Sequence, residues 1–155
     1  MTTTLRLIPI LALTGLFLLP STGWAQSTIT QQRIGSTTFY SGTVGGQHLW
    51  GTSQSLGSIT YTNLRIGSTS FSGTAQELGP MRYSTWSTGV SATTQRLGAF
   101  QYTSTSQGGR YTTQTLGSFQ YTTGSDGFRA VTQQIGDFRF TTVTPGYRLP
   151  AGRRW

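Results

Sequence analysis

The stretch Tyr111-Thr112-Thr113-Gln114-Thr115-Leu116-Gly117-Ser118-Phe119-Gln120-Tyr121-Thr122-Thr123-Gly124 decides how this chain is read. Side chains alternate along a strand, so Gln114 and Leu116 share one face of the first half. Phe119 and Tyr121 share a face in the second half, but their numbers have the opposite parity. The phase must therefore change at Gly117, and a glycine in a left-handed or bulged conformation makes that change without steric penalty. Gly124-Ser125-Asp126-Gly127 then supplies a return turn, as do Gln107-Gly108-Gly109 and Gly89-Val90 elsewhere in the chain. One unit reads as strand, corner, strand, turn.

The unit recurs six times: Gln32-Arg33-Ile34-Gly35 with Phe39, Gln54-Ser55-Leu56-Gly57 with Tyr61, Gln76-Glu77-Leu78-Gly79 with Tyr83, Gln95-Arg96-Leu97-Gly98 with Tyr102, Gln114-Thr115-Leu116-Gly117 with Tyr121, and Gln133-Gln134-Ile135-Gly136 with Phe140. The glycines are 22, 22, 19, 19 and 19 residues apart, a period that marks one supersecondary unit per repeat. Thr and aromatic residues favour strands, Gly and Ser punctuate them, and no apolar residues recur at helical spacing within the repeats. Disorder would not hold Gln, Ile or Leu, Gly and an aromatic in register through six copies.

The expected fold is all-β: a tandem-repeat β-solenoid of about six coils of 19–22 residues, with an antiparallel β-meander sheet as the alternative. The glutamines favour the solenoid. In a parallel stack identical residues lie above one another at the ~4.8 Å strand spacing, so Gln32, Gln54, Gln76, Gln95, Gln114 and Gln133 would form an amide ladder. In period and in strand-turn-strand plan the repeats resemble those of the curlin subunits of bacterial amyloid fibres, with aromatics in place of the curlin Asn and Ala positions. A solenoid's end coils expose unpaired backbone, so growth by end-to-end stacking is expected.

Outside the array, Met1 to Arg6, the apolar run Leu7 to Leu19 and Gly23-Trp24-Ala25 have the grammar of a secretory signal peptide cleaved after residue 25. The apolar run is shorter than the ~20 residues a membrane-spanning helix needs, so no transmembrane segment is expected in the mature chain. Residues 26–143 form the repeat domain, and 144–155 form a basic tail with Pro145 and Pro150, which end a strand ladder. This organisation implies export to the cell surface, the extracellular space or the periplasm. With no Cys, the exported chain holds together by pairing and packing alone.

Every positive side chain is Arg, and the mature chain carries ten of them against Glu77, Asp126 and Asp137. Such a balance favours polyanions; outside the cytoplasm these are acidic polysaccharide, lipopolysaccharide or extracellular DNA. Arg33, Arg82, Arg96 and Arg139, on the face opposite the Gln, Leu and aromatic set, and Arg65 in the half-copy Arg65-Ile66-Gly67, are the candidate polyanion-binding residues, expected as an outward stripe.

Catalytic and metal-binding patterns are not expected, nor is a cofactor. His48 stands alone, and the three acids lie in different repeats and do not recur as a pair. The expected function is that of a secreted, non-enzymatic structural or adhesive protein with the capacity to self-associate. The alternative is a glycan- or polyanion-binding surface module.

Overall fold

A computed structural model describes residues 27–144 and 146. The signal peptide read over 1–25, and all of the 144–155 tail except Thr144 and Gly146, lie outside the described residues. Twelve strands follow one another without a helix between them: β1 (Ser27–Ile34), β2 (Thr37–Val44), β3 (Gln47–Leu56), β4 (Ile59–Ile66), β5 (Thr69–Leu78), β6 (Met81–Trp86), β7 (Ser91–Leu97), β8 (Phe100–Thr105), β9 (Arg110–Leu116), β10 (Phe119–Gly124), β11 (Arg129–Ile135) and β12 (Phe138–Thr144). Each pairs antiparallel with its neighbours in sequence, and β1 pairs antiparallel with β12, from Ser27 opposite Val143 to Gln32 opposite Phe138. The sheet is thus an up-and-down meander closed into a barrel.

The solenoid expectation is corrected by this pairing. Each repeat is a β-hairpin, and Gly117 reverses the chain where a solenoid would turn a corner. Leu116 pairs with Phe119 and Gln114 with Tyr121, so residues of opposite parity share a face because they lie directly opposite one another. The six repeat glycines have φ between 58° and 61°, in two-residue loops whose second residue has no positive φ. That is the type II′ hairpin turn, whose twist matches that of the flanking strands. At the other end of the barrel, Gly45-Gly46 makes a turn with both φ positive. Three longer loops there, centred on Gly89, Gly108 and Gly127, repeat one design. Ser87, Ser106 and Ser125 each accept a backbone N–H on their Oγ, from Ser72, Ser91 and Arg110, at 3.1–3.2 Å.

Inside the barrel the side chains form three layers. Farthest from the repeat turns is the apolar layer, with Ile29, Leu64, Trp86, Tyr111, Ala130 and Val143 buried. Large side chains there sit opposite glycines: Leu64 pairs with Gly51, Trp86 with Gly73 and Tyr111 with Gly124. In the middle layer, cross-strand hydroxyl pairs close at 2.8 Å, namely Ser53–Thr62, Thr94–Thr103, Thr113–Thr122 and Thr132–Thr141. Each hydroxyl can donate and accept, so the pairs satisfy the polarity they bury. The third layer, nearest the repeat turns, is polar and charged.

Candidate functional site

The repeat-turn end of the barrel is built inside out. Its outer wall carries Ile34, Leu56, Leu78, Leu97, Leu116 and Ile135, all 54–59% exposed. One row further along the strands, Phe39, Tyr61, Tyr83, Tyr102, Tyr121 and Phe140 are 43–46% exposed. Phe100, Phe119 and Phe138 stack on Tyr102, Tyr121 and Phe140 with ring centroids 6.2–6.4 Å apart. The strand register makes this a belt around the barrel, apolar in the row at the turns and alternating aromatic with Gln in the row behind it. It is two outward rows tall, roughly 7 Å along the strands. Above it the outward positions turn to Thr and Ser, such as Thr52, Thr74, Thr93 and Thr112. A membrane-spanning barrel needs an apolar band about 25 Å tall. Among the described residues no helix is long and apolar enough to cross a membrane.

The six glutamines belong to this belt and form no ladder. Gln32 faces Phe39 and Phe138, Gln114 faces Tyr121 and Phe100, and Gln133 faces Phe140 and Phe119. Gln54, Gln76 and Gln95 lie opposite Tyr61, Tyr83 and Tyr102. In an antiparallel barrel equivalent positions of successive repeats are two strands apart, so the recurring partner of each Gln is an aromatic ring.

The expected outward arginine stripe is also corrected. Arg33, Arg82, Arg96 and Arg139 do lie on the face opposite Gln, Leu and the aromatics, but that face is the inside of the barrel. They occupy the layer nearest the repeat turns, with burial increasing from Arg96, which is exposed, through Arg33 and Arg82 to Arg139 at 6% exposure. Arg33 on β1 and Arg139 on β12 are on neighbouring strands; Arg82 on β6 and Arg96 on β7 are neighbours half the barrel away in strand order. Arg65 is separate from them. It points outward near the opposite end, with its guanidinium 5.9 Å from the centroid of the Trp50 ring and its Nε donating to the Gly67 carbonyl at 3.2 Å.

One arginine of each pair, Arg82 and Arg139, acts on Tyr40, a buried residue that sequence reading did not single out. Burial pushes its phenol up to about 12, opposed by the Ser53 hydroxyl and by the Arg82 and Arg139 guanidiniums. Burial likewise pulls Arg82 down to about 10, aided by Arg96 and resisted by Glu77 and Tyr40. Arg139 is lowered by burial and by Arg33. Arg82 Nη1 donates to Glu77 Oε1 at 3.2 Å, and Arg139 Nη2 to Gln134 Oε1 at 3.0 Å. Arg82 Nε and Nη2 are buried without a hydrogen-bond partner. Asp137, in the Gly136-Asp137 turn, is exposed at the rim. Four guanidiniums thus share this end with two carboxylates, of which Glu77 is paired with Arg82.

His48 is on the outer wall of β3, far along the strand from this cluster, and among the described residues no three His, Cys, Asp or Glu side chains come together to hold a metal. Compared with family models, curated proteins and solved structures, the chain matches none.

Proposed function

We propose that this is a non-enzymatic adhesive protein that works outside the cytoplasm, at the cell surface or in its matrix, and attaches through the belt at its repeat-turn end. The observation that carries the reading is the belt itself. Six Leu or Ile side chains stand more than half exposed beside six aromatics, around one end of a barrel whose next outward positions are mostly Thr and Ser. A contiguous exposed apolar rim of this kind marks an attachment site, whereas scattered exposed side chains do not. The Gly-X turns deepen the reading. They keep the hairpins short and rigid, so the belt is presented with little loss of conformational freedom on attachment. Closure of β1 on β12 leaves no open strand edge, so growth by strand addition has no template here and attachment falls to side chains.

The test is adsorption of the purified protein to a neutral apolar interface, followed as surface pressure at the air–water boundary. The wild type adsorbs and raises the pressure. A variant with Leu56, Leu78, Leu97 and Leu116 changed to Ser stays folded, because those side chains are exposed already, and adsorbs far less. Equal adsorption by the two would remove the belt from the function.

A further inference from the structure

The belt and the arginines occupy the same end of the barrel, one outside the wall and the other inside it. Resting on the reading of the belt as the attachment surface, we infer that this end docks on an anionic phospholipid surface, with the belt entering the interfacial layer and Arg33, Arg82, Arg96 and Arg139 receiving phosphate headgroups in the mouth. The belt's height, roughly two strand rows, suits the ~5–10 Å that interfacial segments bury at the headgroup boundary. Its order suits that depth as well. Leu, Ile and Phe lie at the tip, and one row behind lie Tyr61, Tyr83, Tyr102 and Tyr121, whose amphipathic rings suit a membrane–water interface.

Charge selects the occupant. Four guanidiniums gather in a partly buried layer against Glu77 and the rim carboxylate of Asp137, and two nitrogens of Arg82 are buried without a partner. Buried cationic groups are costly unless an anion pairs with them, and the planar fork of a guanidinium matches a phosphate in two-point contact. The graded exposure makes an entry path, from Arg96 and Arg33 at the opening to Arg82 and Arg139 behind them. A second copy set mouth to mouth would bring eight guanidiniums against four carboxylates and repel. A soluble anion would satisfy the mouth but leave the belt in water. A lipid surface bearing phosphates satisfies both.

The experiment is flotation of the purified protein with vesicles of phosphatidylcholine alone and of phosphatidylcholine mixed with phosphatidylglycerol. Docking of this kind gives tighter binding to the mixed vesicles, and that margin shrinks as salt rises. The double variant Arg33→Gln, Arg96→Gln, which spares the two more buried arginines, loses roughly thirtyfold in affinity for the mixed vesicles and little for the neutral ones. Arg65→Gln, at the other end, behaves as wild type. Should the double variant fail to fold, as judged by far-UV circular dichroism, the salt dependence of the wild type still decides. Equal binding to the two vesicle types overturns the headgroup inference while leaving the belt reading in place; binding to neither overturns both. Binding of inorganic phosphate or DNA with no vesicle preference assigns the arginines to a soluble anion and also overturns it.

Discussion

Gly73 is where the barrel can be tested with a single methyl group. It lies opposite Trp86 across the β5–β6 pair, and Trp86 is buried at 5% exposure. A Cβ added at Gly73 would come within 2.8 Å of Trp86 Cδ2 and Cε3 and 3.0 Å of the Thr85 carbonyl oxygen. No real Cβ tolerates such contacts, so the indole or the strand must move. Overfilling a packed interior costs about 1–3 kcal/mol, offset by roughly 0.4–1 kcal/mol from the stiffer unfolded chain. Gly73→Ala should therefore destabilise by about 1–2 kcal/mol, a fall of roughly 4–8 °C in melting temperature for a domain of this size. Thermal and urea unfolding followed by far-UV circular dichroism measure it. The sharper reading comes from a double-mutant cycle with Trp86→Leu, which vacates the space. In that background Gly73→Ala should cost at least ~1 kcal/mol less, as directly touching pairs couple by 0.5–3 kcal/mol. Strictly additive effects would mean that Gly73 and Trp86 do not meet, and the β5–β6 register would be wrong.

Tyr40 provides a pH signature. Its folded pKa, about 12, lies above the ordinary 10.0, so between those values the folded protein keeps a proton that the unfolded chain has lost. The stability it contributes is complete below pH 10 and drains away as pH rises through 12, by up to roughly 3 kcal/mol for a shift of two units. Arg82 acts in the opposite sense. Its pKa is lowered by folding to about 10, so its contribution becomes more favourable as pH climbs above that value. Tyr40→Phe should accordingly lose less stability than wild type between pH 10 and 12 in urea titrations, and should lack the last phenolate step in an ultraviolet titration of the folded protein; an unchanged titration would place Tyr40 outside the interior. In the middle layer, Thr113→Val leaves the Thr122 hydroxyl buried without its 2.8 Å partner and should cost about 1–3 kcal/mol in urea unfolding, whereas Thr113→Val with Thr122→Val should recover much of it.

Local chemistry was legible in the sequence, and long-range closure was not. Gly117 and its five equivalents were readable as left-handed glycines, and Gly124-Ser125-Asp126-Gly127 as a return turn, because turn chemistry is set within a few residues. The division of side chains between two faces was readable too, since alternation along a strand is local: Arg96 opposite Leu97 and Gln95 needs nothing beyond three residues. Which face points inward was not readable. Leu and Tyr are expected inside and Arg outside, and here the repeat-turn end reverses that rule, with Leu116 at 54% exposure and Arg139 at 6%. The parity change at Gly117 was visible, but a hairpin and a solenoid corner produce the same change. Pairing of β1 with β12 joins residues more than a hundred positions apart, and no local pattern encodes it. Tyr40 escaped notice for a similar reason: it is an ordinary strand tyrosine until the closed wall brings Arg82 and Arg139 to it from opposite sides.

Closure is the claim on which the inward arginines and the outward belt both depend, and a disulfide tests it most directly. The chain contains no Cys, so a pair can be introduced without competition. Thr28 on β1 and Thr142 on β12 are register partners, and both are exposed. Partners across an antiparallel pair have Cα atoms about 4.5–5.5 Å apart, within the range a disulfide spans. In a closed barrel Thr28→Cys with Thr142→Cys oxidises readily within one chain, seen as the loss of two free thiols without a dimer band, and the bridge raises the melting temperature. Thiols that stay free, or link only between molecules, would mean that β1 and β12 do not meet and that the sheet is open.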